Sequence, residues 1–403
     1  LIIFFITILY FKFKNIYTSK MTKPFKVKIS DKVLQNIYSK VKKYEWHEMP
    51  DDGGWDYGTN LEYMKEFSKY WIEKYDWKKT EDKINKFKNF KSNINGIDIH
   101  FIHEKGSGSN PQPLLLNHGW PGSIIEFLDI IDQLAHPENY GGDKEDGFNV
   151  VVPSLPGYGF SDRPARPIGP RKMASIFNSL MTEKLHYKKY ISQGGDFGGT
   201  ISTWLAYDFP NNLLGIHINI LIIRHPDGPQ TKEEIDWQER FKKDQRIEDG
   251  YRTQQATKPQ TLSYAMMDSP IGVAAWIIEK MRGWSDLKNG DIESVYSKDI
   301  LLSNIMLYLV TKTFNTASWI YYGRREEGGR MLPKDHLPLN VPTAIAEFPK
   351  EYLEWAPRSY VERIYNIKQW TKMSSGGHFA ALEKPDLLIE DIIKFGKKLK
   401  NTN

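Results

Sequence analysis

The chain has 403 residues, room for two or three domains or for one large domain with insertions. Hydrophobic residues make up 40% and charged residues 26%, and 12 Trp, 22 Tyr and 20 Phe supply ample core material, which excludes wholesale disorder. The formal charge of +5 is too small and too dispersed for a nucleic-acid footprint, and the absence of cysteine excludes a disulfide scaffold, a thiolate zinc site and a cysteine nucleophile.

The first segment, Leu1–Phe11, is almost continuously apolar and is followed by Lys12 and Lys14. It falls short of the ~20 residues a membrane-spanning helix needs, and no small-residue cleavage site follows it. Three readings stay open: a clipped membrane anchor, a truncated signal sequence, or upstream sequence translated ahead of a start at Met21. The globular pattern begins directly after Met21, which favours the third reading and a cytoplasmic location. A genuine anchor would instead place the protein at the endoplasmic reticulum membrane.

From Ser30 the apolar spacing is helical: Ser30 can cap a helix with Leu34, Ile37, Val41 and Tyr44 on one face. After a turn-rich stretch at Pro50–Trp55, Asn60 can cap a second helix bearing Met64, Phe67, Trp71 and Tyr75. Asn95-Gly96 then sits between two alternating runs, the signal of a β-hairpin. Short apolar runs follow at Leu114–Leu116, Val150–Val152, Tyr190–Ser192, Ile216–Ile220 and Val341–Ala346. The spacing of the first four leaves room for crossover helices, so the expected architecture is α/β with a mostly parallel sheet. Between Arg224 and His336 the strand rhythm stops in favour of Trp, Tyr and charged residues, which reads as an inserted helical lid.

The strongest chemical signal is Ser192-Gln-Gly-Gly-Asp196-Phe-Gly-Gly199, placed between a strand and a helix-compatible run. Gly194-x-Asp196-x-Gly198 has the form of a nucleophile elbow with Asp in place of Ser. Such a turn forces its central residue into a strained conformation and requires small neighbours. A carboxylate at a helix N-terminus is favoured in its ionised form and can attack an sp³ carbon bearing a leaving group. Read without chemistry, the same stretch is a tight βα turn with an exposed Asp; it fits neither the dinucleotide nor the P-loop spacing.

Two further turns fit the first reading. His118-Gly-Trp-Pro-Gly-Ser123 follows a strand, where the backbone N–H of Trp120 could join that of Phe197 as an oxyanion hole; His118 itself reads as a structural histidine. Gly376-Gly377-His378-Phe379 lies late in the chain, and the order Asp, acid, His is that of the α/β-hydrolases. For the acid, the residues alone leave Glu347, Glu351 and Glu354 open.

Together, HGWPGS at 118–123, PSLPGYGFSDRP at 153–164, GGDFG at 194–198 and GGHFAALEKP at 376–385 resemble the microsomal-type epoxide hydrolases, a family that includes the juvenile-hormone epoxide hydrolases. The helical segment with Gly54-Trp-Asp-Tyr-Gly58 is similar to that family's N-terminal region, so the likeness runs from Met21 to the end. It implies an α/β-hydrolase fold with an apolar leader (1–20), an N-terminal region (21–103), a core in two parts (104–223 and 337–403) and a helical lid (224–336). It also implies Asp196 as nucleophile, His378 as general base and Glu351, in Phe348-Pro-Lys-Glu351, as charge-relay acid. Two lid tyrosines would donate protons to the epoxide oxygen. Thr257-Lys-Pro259 places the first at Tyr251, and Ala317-Ser-Trp-Ile-Tyr-Tyr322 places the second at Tyr322, four residues after the serine, with Tyr321 adjacent. Relatives often carry Arg where Ile320 stands and Trp where Phe197 stands. The implied substrate is a small apolar epoxide, with no metal or organic cofactor, no nucleic acid, and membrane association only if residues 1–11 are an anchor. Within the same fold the rival is a haloalkane dehalogenase; outside it, a non-catalytic binder of an apolar ligand.

Overall fold

A computed structural model describes residues 22–401; the apolar leader lies outside them. Among the described residues the strands form one nine-stranded sheet in the order β1-β2-β3-β5-β4-β6-β7-β8-β9. They are β1 (Lys23–Phe25), β2 (Asn89–Ile94), β3 (Ile97–Glu104), β4 (Gln112–Asn117), β5 (Phe148–Pro153), β6 (Tyr190–Gly194), β7 (Leu213–Ile218), β8 (Leu339–Glu347) and β9 (Tyr365–Lys372). The five apolar runs picked out above all lie on strands, with Ile220 just past the end of β7. β1–β3 and the β3–β5 pair are antiparallel, and every pairing from β5 through β9 is parallel.

The Asn95-Gly96 hairpin forms as expected. Ile94 pairs with Ile97, and both turn residues have positive φ (52° and 85°), as a type I′ turn requires. At the centre of the sheet Leu114, Leu115 and Val150–Val152 are wholly buried, because helices cover both faces.

The order β5-β4-β6 matters most for function. The chain leaves β4 toward β5 on one side, then crosses over to β6 on the other. That creates a crevice at the carboxyl ends of β4 and β6, the place where open α/β sheets bind ligands. Asn117 and Gly194 pair at those ends, so the turns that begin at His118 and Gly195 emerge side by side.

The N-terminal helices span Asp31–Lys42 and Leu61–Glu73, so Tyr44 and Tyr75 lie past their ends. Asn60 caps the second by accepting the Tyr63 amide at 2.9 Å; Ser30 occupies the cap position of the first without a side-chain bond. A third helix, Trp77–Asn85, gives little periodic signal in the sequence, because its surface is charge-dense and only Trp77, Thr80, Glu81 and Ile84 are buried.

Between β7 and β8 the chain folds into helices, including Gly250–Thr257, Pro270–Gly283, Lys298–Thr311 and Phe314–Glu326. The neck of this insertion is tied where the Arg224 amide donates to the Arg330 carbonyl at 2.8 Å. The N-terminal region braces the insertion: Thr59 donates to the Ala275 carbonyl (2.7 Å), Tyr70 to Asp299 (2.9 Å), and the Arg282 guanidinium lies 4.4 Å from the Trp55 ring centre. No helix among the described residues is long and apolar enough to cross a membrane.

Candidate active site

β6 ends at Gly194, and Asp196 opens the Asp196–Asp208 helix with φ of +44°, a strained value for a non-glycine residue. The glycines around it are sterically required. A Cβ on Gly194 would stand 2.2 Å from the Gly198 carbonyl carbon, and one on Gly198 would stand 1.9 Å from the Asn117 oxygen. The elbow thus presses its helix against the end of β4. Asp196 is buried, and its Oδ1 accepts the Trp120 amide at 2.9 Å. A Cβ on Gly119 would strike that oxygen, so the His118-Gly-Trp turn can approach only as glycine. Phe197 follows Asp196 in the first helical turn.

On the other side of the carboxylate, His378 Nε2 stands 3.5 Å from Asp196 Oδ2. His378 Nδ1 lies 2.9 and 3.0 Å from the two oxygens of Glu351, which also faces the Leu353 amide. The geometry therefore selects Glu351 from the three open acids. Glu347 instead accepts the Trp370 indole (2.6 Å), and Glu354 pairs with Arg240 (2.7 Å). Burial alone would lower the His378 pKa, but the Glu351 and Asp196 carboxylates outweigh it and raise it to about 10. Alkylation of Asp196 would cancel one of those two charges and let the imidazole give up its proton more readily. His118 is structural, as expected. Its Nδ1 meets the Gly119 carbonyl at 3.0 Å, its Nε2 accepts the Leu155 amide at 3.2 Å, and burial lowers its pKa to about 4.

The glutamate of GGHFAALEKP has a clear job. Glu383 accepts the amides of Gly377 (2.9 Å), Phe379 (2.8 Å) and Asp286 (2.8 Å), while the His378 amide donates to the Trp284 carbonyl at 2.9 Å. The histidine loop is thus pinned to itself and to the lid. Glu383→Ala is expected to lower unfolding free energy by about 3 kcal/mol, since each buried amide left without an acceptor costs ~1 kcal/mol or more. Turnover should fall with it as His378 loses its fixed position; urea denaturation and kcat on the same preparation check both.

Above the carboxylate, the Tyr251 ring stacks on the Trp120 ring at 5.1 Å, and its hydroxyl lies 3.3 Å from that of Tyr352. The second phenol is a correction. Tyr321, not Tyr322, faces the site: its ring meets Phe197 at 4.8 Å, Trp120 at 5.6 Å and Tyr251 at 5.8 Å, and its buried hydroxyl has no hydrogen-bond partner. Tyr322 is half-buried with the Arg325 guanidinium 4.4 Å from its ring. Adjacent residues on a helix point about 100° apart, so only one of the pair can enter. The buried face of this helix carries Phe314, Ala317, Tyr321 and Arg324, a three-four spacing with which Tyr321 is in phase and Tyr322 is not. That periodicity was the signal to follow.

Three residues near the site are not singled out by any sequence motif above: Tyr352, Trp284 and Glu126. Tyr352 directly follows Glu351, and its ring stacks on Trp284 at 4.3 Å and edges His378 at 5.2 Å. Trp284 belongs to no motif. Glu126 lines the site beside Asp196 and His378.

An aspartate elbow at the switch point of a mostly parallel sheet, with a histidine–glutamate pair against it, marks a hydrolase of the α/β-hydrolase class. The family model for the alpha/beta hydrolase fold matches residues 112–275, and the model for the epoxide hydrolase N terminus matches residues 22–127. The chain belongs to the epoxide hydrolase family. It is 36% identical over 401 residues to epoxide hydrolase 1 of Sus scrofa, covering 93% of this chain and 88% of that protein. It is 35% identical over 415 residues to juvenile hormone epoxide hydrolase 1 of Ctenocephalides felis, covering 94% and 86%. The crystal structure of juvenile hormone epoxide hydrolase from the silkworm Bombyx mori matches with a TM-score of 0.86 at 30% identity, over 95% of this chain and 96% of that one.

Proposed function

We propose that the protein adds water to an apolar epoxide and releases a vicinal diol, in two steps through an ester on Asp196. The observation that carries this reading is the position of Asp196 between two proton-handling groups of opposite kind. On one side is His378, backed by Glu351. On the other are Tyr251 and Tyr321, packed around the Trp120 ring whose own amide holds the carboxylate.

In the first step Asp196 Oδ2 bonds to one epoxide carbon, the ring C–O bond breaks, and the departing oxygen takes a proton from a phenol. Burial, reinforced by the Asp196 charge, pushes the Tyr251 phenol well above its ordinary pKa, and burial does the same to Tyr321. Both therefore hold their protons until an alkoxide develops to receive one. In the second step water attacks the ester carbonyl while His378 Nε2 takes its proton. The oxyanion that forms is stabilised by the Trp120 and Phe197 amides. The acyl C–O bond then breaks, the leaving oxygen takes the proton from His378, and the proton freed as Asp196 returns to a carboxylate restores the phenol.

One observation favours a second reading. The indole N–H of Trp120, the residue whose amide holds the carboxylate, is buried without a hydrogen-bond partner, a donor of the kind a haloalkane dehalogenase offers its halide. The paired phenols have no part in that chemistry. A panel of styrene oxide, a fatty-acid epoxide, a terpenoid epoxide and a chloroalkane separates the two. Diol from at least one epoxide, with no chloride released, is the expected result; chloride without diol would reverse the assignment.

A further inference from the structure

Beside Asp196 lies a cavity of about 20 Å³, whose polar walls include Asn117, Glu126, Gln193, Asn219 and His378. That volume accommodates a single water. Neither Tyr251, Tyr321 nor Tyr352 lines it. Among the residues that line it, His378 Nε2, Gln193 Oε1 and Asn117 Oδ1 are buried without a hydrogen-bond partner. A buried water needs two to four such partners, and these walls offer them.

Glu126 is the wall residue whose presence needs explaining. Ser123-x-x-Glu126 has the form of a capping box: Ser123 Oγ accepts the Ile125 amide at 3.2 Å, and the Ser123 amide turns to the Glu126 carboxyl. A cap accounts for one oxygen of a side chain that could satisfy it from the surface. Instead the carboxyl lies over Gly122, where a Cβ would stand only 1.4 Å from Oε1, and faces both Asp196 and His378. Burial, with the Asp196 charge adding to it and His378 opposing, raises its pKa to about 8. A neutral carboxylic acid still has a carbonyl oxygen that accepts a hydrogen bond.

Ester hydrolysis needs such an acceptor. As the water oxygen bonds to the Asp196 carbonyl carbon, one water proton passes to His378 Nε2. The other must be held elsewhere so that the lone pair points at the carbon. We propose that Glu126 is that second acceptor, and that it and His378 clamp the hydrolytic water in the small cavity. This assignment rests on the covalent ester reading and confines the role of Glu126 to the second half-reaction.

Single-turnover kinetics with a substrate of the wild type, followed by intact-protein mass, tests it. In Glu126→Leu the rate of ester formation should stay within about twofold, while ester hydrolysis slows by about 10- to 100-fold, within the range for one group assisting a proton transfer. The adduct should then accumulate during turnover, with kcat and KM falling together, because the second step has become limiting. Glu126→Gln, whose amide oxygen still accepts, should restore most of the hydrolysis rate. Gly122→Ala supplies an independent variant if Glu126→Leu does not fold, since its methyl displaces the carboxyl without removing it; the same selective slowing is expected. Equal slowing of both steps, or unchanged hydrolysis, in the variants that fold would overturn the role of Glu126. Failure of the covalent reading looks different: no adduct would form even when His378 is replaced.

Discussion

Replacing His378 with Gln is expected to leave a protein that reacts once and stops. Ester formation needs no base: Asp196 meets the epoxide as a carboxylate, held by the Trp120 amide, and the proton for the departing oxygen comes from the phenols. Hydrolysis does need one, and no other imidazole is in place; His118 is committed to the Gly119 carbonyl and the Leu155 amide. General-base assistance contributes about 10²–10⁴ in rate, so hydrolysis should slow by that much while ester formation persists. The Gln side chain can still hydrogen-bond Glu351, which keeps the buried acid from being orphaned. Mixed with an epoxide, the variant should gain the whole mass of that epoxide, on the peptide containing Asp196. A dehalogenase would gain a haloalkane less its halide, and a binding protein would gain nothing. An unchanged mass with an epoxide that the wild type converts would falsify the covalent mechanism.

What the sequence could say about this site follows from how each part is built. The elbow, the His118 turn and the histidine loop were legible because backbone geometry dictates their residues. Gly194, Gly198 and Gly119 stand where a Cβ would strike neighbouring atoms, and such glycines cluster in short, recognisable strings. The acid was less legible: Glu347, Glu351 and Glu354 lie within eight positions, and only the approach of the Gly376–His378 loop to Lys350 decides which one meets the imidazole. That approach is tertiary. Glu126 is least legible, because the pattern Ser123-x-x-Glu126 is satisfied by a local capping box alone and carries no mark of chemistry. The Trp77–Asn85 helix failed for the opposite reason, its few buried positions being outnumbered by charges.

The register of the second phenol is hidden for another reason. Counting from Ser318 to Tyr322 respects i to i+4 spacing, but Ala317 is buried as well, and from Ala317 the same spacing arrives at Tyr321. Phe314 breaks the tie, because seven residues on from it the helix has made nearly two turns and returns to the same face at Tyr321. Motif matching counts positions, whereas burial follows the helical phase. Where the two disagree by one residue, the phase decides which side chain reaches the site.

The phenol pair makes that correction measurable. Tyr251→Phe or Tyr321→Phe alone should slow ester formation about tenfold, because the remaining phenol still donates to the opening epoxide. The double change should cost more than one hydrogen-bond donor to a developing oxyanion is typically worth, ~10²–10³ in rate, because the alkoxide would then form with no donor beneath the lid. Tyr322→Phe should be silent, its ring being engaged with Arg325. Tyr352→Phe should act mildly and through Tyr251, whose hydroxyl it meets at 3.3 Å. Since burial raises both donor phenols above the ordinary tyrosine pKa, the wild-type rate of ester formation should not decline as pH approaches 10, where an unperturbed phenol would already be half ionised. Rapid mixing under single-turnover conditions, read by the adduct mass in the His378→Gln background, isolates ester formation from hydrolysis for every variant. A Tyr322→Phe chain that is slow, beside a Tyr321→Phe chain that is not, would return the second donor to Tyr322 and require the Phe314–Glu326 helix to rotate by one residue.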